Sequence, residues 1–189
     1  MTGATNTVDG LTVTVHGPST APDQFVPMQS LYAEEYAQSD DWDNDWEMQN
    51  FTLGWPNRHT APDFRLVTAH YAGDLVGFAF GHALSGQTRW WDGRLEQFPD
   101  DVITERPGRT FAIIELIVQE KMRRKGIARS LHAHLTAELS HERITLLVRT
   151  NNRVAREAYI KWGYHVVGKI QPFPPDGPIF DAMLKALGS

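Results

Sequence analysis

Cysteine is absent from the 189 residues, which removes disulfides, thiolate metal sites and any cysteinyl intermediate from consideration. Apolar runs are short, and none approaches the roughly 18 residues of a membrane-spanning helix. The opening stretch MTGATNTVDG lacks the basic start and apolar core of a secretory signal. The expected location is therefore the cytoplasm, with no membrane partner. Positive charge is scarce as well. Lys and Arg number 18 against 23 Asp and Glu, for a formal net charge of -5, so the chain lacks the broad basic footprint of a nucleic-acid-binding surface. No internal repeat or low-complexity tract is visible. A hydrophobic share of 41% with 22% charged residues is that of an ordinary folded chain. The expectation is a disordered tail over residues 1–10 and a single domain with a substantial core over 11–189.

What positive charge there is gathers in one place. Within QEKMRRKGIAR, residues 119–129, five of the nine positions from Lys121 to Arg129 are basic: Lys121, Arg123, Arg124, Lys125 and Arg129. Without those five, 13 basic residues face 23 acidic ones. The run joins an apolar segment, Phe111 to Val118, to an amphipathic one, Ile127 to Leu139. A helix starting near Gly126 would turn unpaired amides and the positive end of its dipole toward these cations. No Ser, Thr, Asp or Asn occupies the five positions before Gly126 to cap it. Two readings follow: a basic turn solvated at the surface, or an external anion in the place of the cap, held by backbone N–H groups and flanked by Arg and Lys. Gly126 favours the second, because a backbone without Cβ admits a bulky anion.

Along the chain, Leu11 to Val15 alternates as a half-buried strand does. A helix is predicted from Pro22 to Ala37, with Phe25, Met28, Leu31, Tyr32 and Glu35 at three- and four-residue spacing and read as core contacts without chemistry. From Gln38 to Pro62 the pattern breaks into a loop in which Asp40, Asp41, Asp43, Asp45 and Glu47 alternate with Trp42 and Trp46, followed by Trp55. These aromatics either bury against the core or line a binding site. Two strands, Phe64 to Tyr71 and Leu75 to His82, flank the hairpin signal Ala72-Gly73-Asp74. Gly77 and Gly81 suggest a bulge or a close backbone approach. The insertion from Ala83 to Gly108, with Trp90 and Trp91, is long enough to hold a short helix or serve a site.

Thr110 to Val118 reads as a strand buried on both faces, interrupted only by Glu115. A helix and a second buried strand, Ile144 to Val148, follow, so a right-handed crossover and a parallel pair are expected. Asn151 and Asn152 can cap the next helix, on which Ala155, Tyr159 and Trp162 share a side and which Gly163 can end. Tyr164 to Ile170 and Ile179 to Leu187 read as the last strands, joined by the proline-rich turn Gln171 to Pro178. His82 is a weak acid–base candidate. His132 and His134, two apart on a helix, do not share a face, and no metal is expected.

Neither the phosphate-loop pattern of nucleotidases nor the dinucleotide fingerprint fits around Gly126. The stretch Arg123-Arg124-Lys125-Gly126-Ile127-Ala128 is similar to the Arg/Gln-x-x-Gly-x-Gly/Ala signature of the GNAT acyltransferases. Asn152-Arg-Val-Ala155-Arg-Glu-Ala-Tyr159-Ile-Lys-Trp-Gly163-Tyr164 resembles that family's second motif, Asn-x-x-Ala-x-x-x-Tyr-x-x-x-Gly-Phe/Tyr. The resemblance is sharp over residues 109–165 and consistent with the element order from residue 11 onward. It implies an α/β (α+β) GNAT fold: a mixed, mostly antiparallel sheet, flanked by helices, with a parallel pair that splays to admit pantetheine. It also implies acetyl-CoA as donor and direct acetyl transfer to an amine through a tetrahedral intermediate.

The resemblance further implies that backbone groups of Ile117 and Val118 pair with the pantetheine arm. Residues Arg123, Arg124, Lys125, Gly126, Ile127, Ala128 and Arg129 would hold the coenzyme A pyrophosphate, and Asn152 and Ala155 would contact the cofactor from the other motif. Tyr159 matches the family's usual acid for the leaving thiolate; a phenol with a reference pKa of about 10 suits that task. A tyrosine on a helix can equally be packing. Glu115 is the candidate general base, directly or through water, or else a buried carboxylate satisfied by hydrogen bonds. Asp43, Asp45, Trp42, Trp46, Trp90 and Trp91 are the candidate contacts for the acceptor, expected to be a small cationic molecule. Alternatives are a protein or peptide acceptor and a non-catalytic acyl-CoA sensor; a second copy of the chain in a homodimer is one further option.

Overall fold

Two-residue periodicity and one tight hairpin organise the first strands. In the computed structural model, which describes residues 9–37, 44–172 and 177–188, β1 (Leu11–His16) runs antiparallel to β2 (Arg65–Tyr71), and β2 to β3 (Asp74–Ala83). The reversal between β2 and β3 passes through Ala72 and Gly73, both at positive φ, as a two-residue hairpin turn requires. Seven strands form one mixed sheet in the order β1-β2-β3-β4-β5-β7-β6, with β4 (Thr110–Val118), β5 (Arg143–Arg149), β6 (His165–Ile170) and β7 (Phe180–Ala186). The expected parallel pair is β4 with β5, registered only from Thr110–Arg143 to Ala112–Thr145. Among the described residues, no helix is long and apolar enough to cross a membrane. Of the tail expected over residues 1–10, only Asp9 and Gly10 lie within the described residues, where they form a turn.

Internal packing divides the chain into two compact units, Met1–His82 with Glu115–Glu138 and Ala83–Ile114 with Leu139–Ser189. In the first, a 3-10 turn (Ala21–Gln24) leads into α1 (Phe25–Tyr36). The loop expected after it is instead α2 (Asn44–Arg58), with Pro56 in its last turn. Phe51 and Trp55, four residues apart and both buried, explain the difference. Phe51 stacks on Tyr32 at 4.3 Å and Trp55 on Phe25 at 5.3 Å, and this aromatic packing outweighs the helix-breaking Gly54 and Pro56. Asp45 and Glu47 fall in the first turn, where acids suit the helix dipole. α4 (Ile127–Thr136) packs on β2. The expected anomaly at Gly77 is a close approach: a Cβ there would lie 2.9 Å from the Ile117 carbonyl oxygen and 3.1 Å from Leu131.

The second unit holds α3 (Asp100–Ile103), the short helix within the 83–108 insertion, and α5 (Arg153–Lys161). β7 lies between β5 and β6, antiparallel to both. Arg143, 9% exposed, ties the insertion to β4 and β5. Its Nε donates to Thr110 Oγ1 at 2.8 Å, and its Nη2 donates to the Val102 carbonyl and to Glu105 Oε1, both at 2.7 Å. Trp91 Nε1 donates to the same carboxylate oxygen at 3.0 Å, and the guanidinium lies 5.8 Å from the Trp91 ring centroid. Replacing Arg143 by Leu would strand a carboxylate whose side chain is 1% exposed. The expected loss is about 3–5 kcal/mol in urea unfolding, mostly recovered when Glu105 is also made Leu.

Candidate active site

The basic run is a shaped turn. Residues Glu120–Met122 form one 3-10 turn, Arg123 is extended, and Arg124 (φ 63°) and Gly126 (φ 82°) both lie in the left-handed region. Gly126 is the N-cap of α4, and no side chain accepts a hydrogen bond at that helix start. The sequence-derived picture of an uncapped helix beside a cation cluster therefore holds in the local geometry. Arg124, Lys125 and Arg129 are exposed, whereas Ile127 is 1% exposed and packs as an anchor, leaving only its backbone to face a ligand. Ala128 is half-buried. Backbone amides with three exposed cations near them are a donor set that fits a diphosphate.

Arg123 is engaged differently from its neighbours. Its guanidinium pairs with Glu35 of α1, and its Nε donates to the Val118 carbonyl at 3.2 Å. That carbonyl, expected to face pantetheine, thus already has a donor. The neighbouring Gln119 amide donates to the Val76 carbonyl at 2.9 Å, and Ile117 is buried with its carbonyl against Gly77. These bonds fix the end of β4 and the start of the turn.

In the second unit, α5 is capped from within. Asn152 Oδ1 accepts from the Ala155 amide at 3.1 Å, as its place in the sequence predicts, so the Ala155 amide is already satisfied. Tyr159 is half-buried on α5, edge-on to Trp162 at 5.4 Å and to Tyr164 at 5.6 Å. Burial, and then the neighbouring Tyr159, push the Tyr164 phenol above its usual range. Tyr164 therefore stays protonated at neutral pH beside Tyr159.

Glu115 is half-buried in the first unit and belongs to a cluster that the sequence did not reveal. Tyr32, 1% exposed, donates to Glu47 Oε2 at 3.2 Å and stacks on Tyr36 at 4.3 Å. Its phenol is pushed well above the ordinary range by burial, then by Glu115, Tyr36 and Glu47. Two carboxylates thus act on one buried phenol. The signal in the sequence was a hydroxyl in the α1 apolar stripe, which needs a partner when buried.

The acceptor candidates belong to different elements. Trp42 and Asp43 lie outside the described residues. Asp45 is exposed and Trp46 half-buried in the first turn of α2. Trp91, expected to contact the acceptor, is a core residue, 3% exposed and packed edge-on to Phe98. Trp90 is half-buried and donates through Nε1 to Thr145 Oγ1 at 3.2 Å.

Comparison with known proteins is consistent with these local features. Residues 26–164 match the model of the acetyltransferase (GNAT) family. A search of curated proteins finds no match. Among solved structures, an acetyltransferase of the GNAT family from Streptococcus pneumoniae is 13% identical, with a TM-score of 0.63 over 94% of this chain and 99% of that one. YncA from Salmonella typhimurium, solved with its cofactor acetyl-CoA, is 12% identical with a TM-score of 0.60 over 95% of each chain. The PaiA N-acetyltransferase from Thermoplasma acidophilum, solved with coenzyme A, is 14% identical with a TM-score of 0.52, covering 93% of this chain and 99% of that one. At these identities the likeness is one of fold.

Gly126 gives the direct test of the turn. Its left-handed φ costs a residue with a side chain about 1–2 kcal/mol, so Gly126→Ala should lower stability by about that amount in urea unfolding. Gly126→Glu places a carboxylate at the helix start and should abolish coenzyme A binding in calorimetric titration.

Proposed function

The chain belongs to the acetyltransferase (GNAT) family, and from that premise we propose that it transfers an acetyl group from acetyl-CoA to the amine of a small cationic molecule. As a member of the family it is an acyl-CoA-dependent N-acetyltransferase. The observation that carries the assignment of the donor to particular residues is the α4 start, an N-cap glycine at φ 82° without a side-chain cap and followed by no acid. The pyrophosphate takes the place of that cap, with Arg124, Lys125 and Arg129 as counter-charges and the amides of Gly126, Ile127 and Ala128 as donors. Arg123 contributes by shaping the turn. Asn152 adds a contact from the second motif.

The donor supplies a thioester whose carbonyl an amine can attack, and the chain's residues manage the protons. Tyr159 is the proposed acid for the departing thiolate, and Tyr164 beside it stays neutral. Glu115 is the proposed base for the incoming amine, directly or through water. The cationic preference is supported by Glu47 and Glu115, which both act on Tyr32, and by the exposed acid Asp45 at the start of α2. An ammonium approaching two carboxylates is attracted before it gives up its proton.

Tyr159→Phe should keep coenzyme A affinity and lower kcat by about 10²- to 10⁴-fold, the usual worth of a positioned proton donor. Unchanged turnover would remove the acid role. Across an amine panel scored by acetyl-CoA-dependent thiol release, cationic small amines should outpace neutral amines and peptides. Equal rates would remove the acceptor assignment and leave the donor assignment standing.

A further inference from the structure

Glu35 stands in the α1 stripe with Phe25, Met28, Leu31 and Tyr32, where a carboxylate has no apolar contact to make. Its side chain is only 6% exposed, and burial at that depth demands compensation of its charge. The basic turn supplies it. The amide of Glu120 donates to Oε1 at 2.9 Å, and the guanidinium of Arg123 donates to Oε2. Beside this contact, Gln119 Nε2 reaches Glu34 Oε2 at 3.5 Å. Glu120 opens a 3-10 turn whose N-cap, Gln119, accepts nothing through its side chain. Glu35 therefore acts as that turn's missing cap, from a residue 85 positions away.

The turn has reason to need such a clamp. It carries five cations within nine residues, and Arg124 sits at φ 63°, a conformation that costs a non-glycine residue about 1–2 kcal/mol. Before an anion arrives, the cations repel one another. Glu35 neutralises one of them, Arg123, and the same guanidinium then reaches the Val118 carbonyl, so a single contact joins α1, the turn and the end of β4.

We infer that Glu35 is a positioning residue for donor capture: by taking the Glu120 amide and the Arg123 guanidinium, it holds the turn in its anion-receiving shape before the ligand binds. Preorganisation of this kind raises affinity because the ordering cost is met during folding. The inference rests on the reading of the turn as the coenzyme A pyrophosphate site. Arg124, Lys125 and Arg129 remain for the ligand, and Arg123 serves the protein.

The test is calorimetric titration of coenzyme A into the full chain and its Glu35→Ala and Glu35→Gln variants, with acetyl-CoA KM and kcat measured on one accepted amine. Glu35→Ala should weaken coenzyme A binding and raise KM about tenfold or more, the loss expected for a charge-assisted pair, while kcat at saturation is essentially unchanged. Glu35→Gln keeps an oxygen for the Glu120 amide and loses the charge, so it should fall between. A residue of purely structural importance would lower the melting temperature and leave KM in place. If Glu35→Ala does not fold, Glu35→Gln decides alone, and a wild-type KM for it overturns the inference. Wild-type coenzyme A binding with both variants unaffected overturns the role of Glu35 and leaves the reading of the turn intact. Failure of the wild type to bind coenzyme A overturns that reading and this inference with it.

Discussion

An α-helix start must find partners for its first amides, and at α4 the N-cap residue, a glycine, provides no side-chain partner. Gly126 adopts a left-handed φ that turns the backbone into the helix without a side chain in the way. The surroundings then follow from that one unmet demand. Cations collect where a helix dipole would repel them, an arrangement that an anion between them and the amides would relieve. The turn that carries them is held by the Gln119 amide on Val76, by buried Met122 and Ile127, and by Glu35. Each restraint acts on the backbone or on Arg123 and leaves Arg124, Lys125 and Arg129 exposed.

The second unit solves the same problem in the opposite way. At α5, Asn152 caps the helix internally, so that end needs no ligand to be complete, and Tyr159 lies further along it between Trp162 and Tyr164. Stability here comes from a buried polar hub. Arg143 and Glu105 hold the 83–108 insertion to the strands, with Trp91 stacked near the guanidinium. Fastened in this way, the insertion places Trp91, Phe98 and Val102 in a core cluster with Ile170, Ala182 and Leu184.

Much of the framework was legible in the sequence because its signals are local. Continuous apolar runs marked β4 and β5, Ala72-Gly73 marked the hairpin, and Asn152 and Gly163 marked the ends of α5. The uncapped basic turn was legible through what the five residues before Gly126 lack. The misses share a different cause: they depend on contacts distant in sequence. α2 is a helix because Phe51 and Trp55 meet Tyr32 and Phe25, which local propensity at Gly54 and Pro56 does not report. The packing of Trp91 against Phe98 was likewise hidden, since aromatic composition does not distinguish a binding surface from a core. Glu35 was read as one more position in an apolar stripe, although a carboxylate at such a position was itself the signal that a cation or amide lay opposite.

The central claim is that the basic turn binds a diphosphate, and coenzyme A compared with pantetheine, which shares the thiol arm and lacks the diphosphate and the phosphoadenosine, tests it through the salt dependence of their difference. Calorimetric titration of both into the wild-type chain should give coenzyme A an affinity orders of magnitude above that of pantetheine, with the advantage shrinking as salt is raised. Equal affinities, or a difference indifferent to salt, would contradict the account.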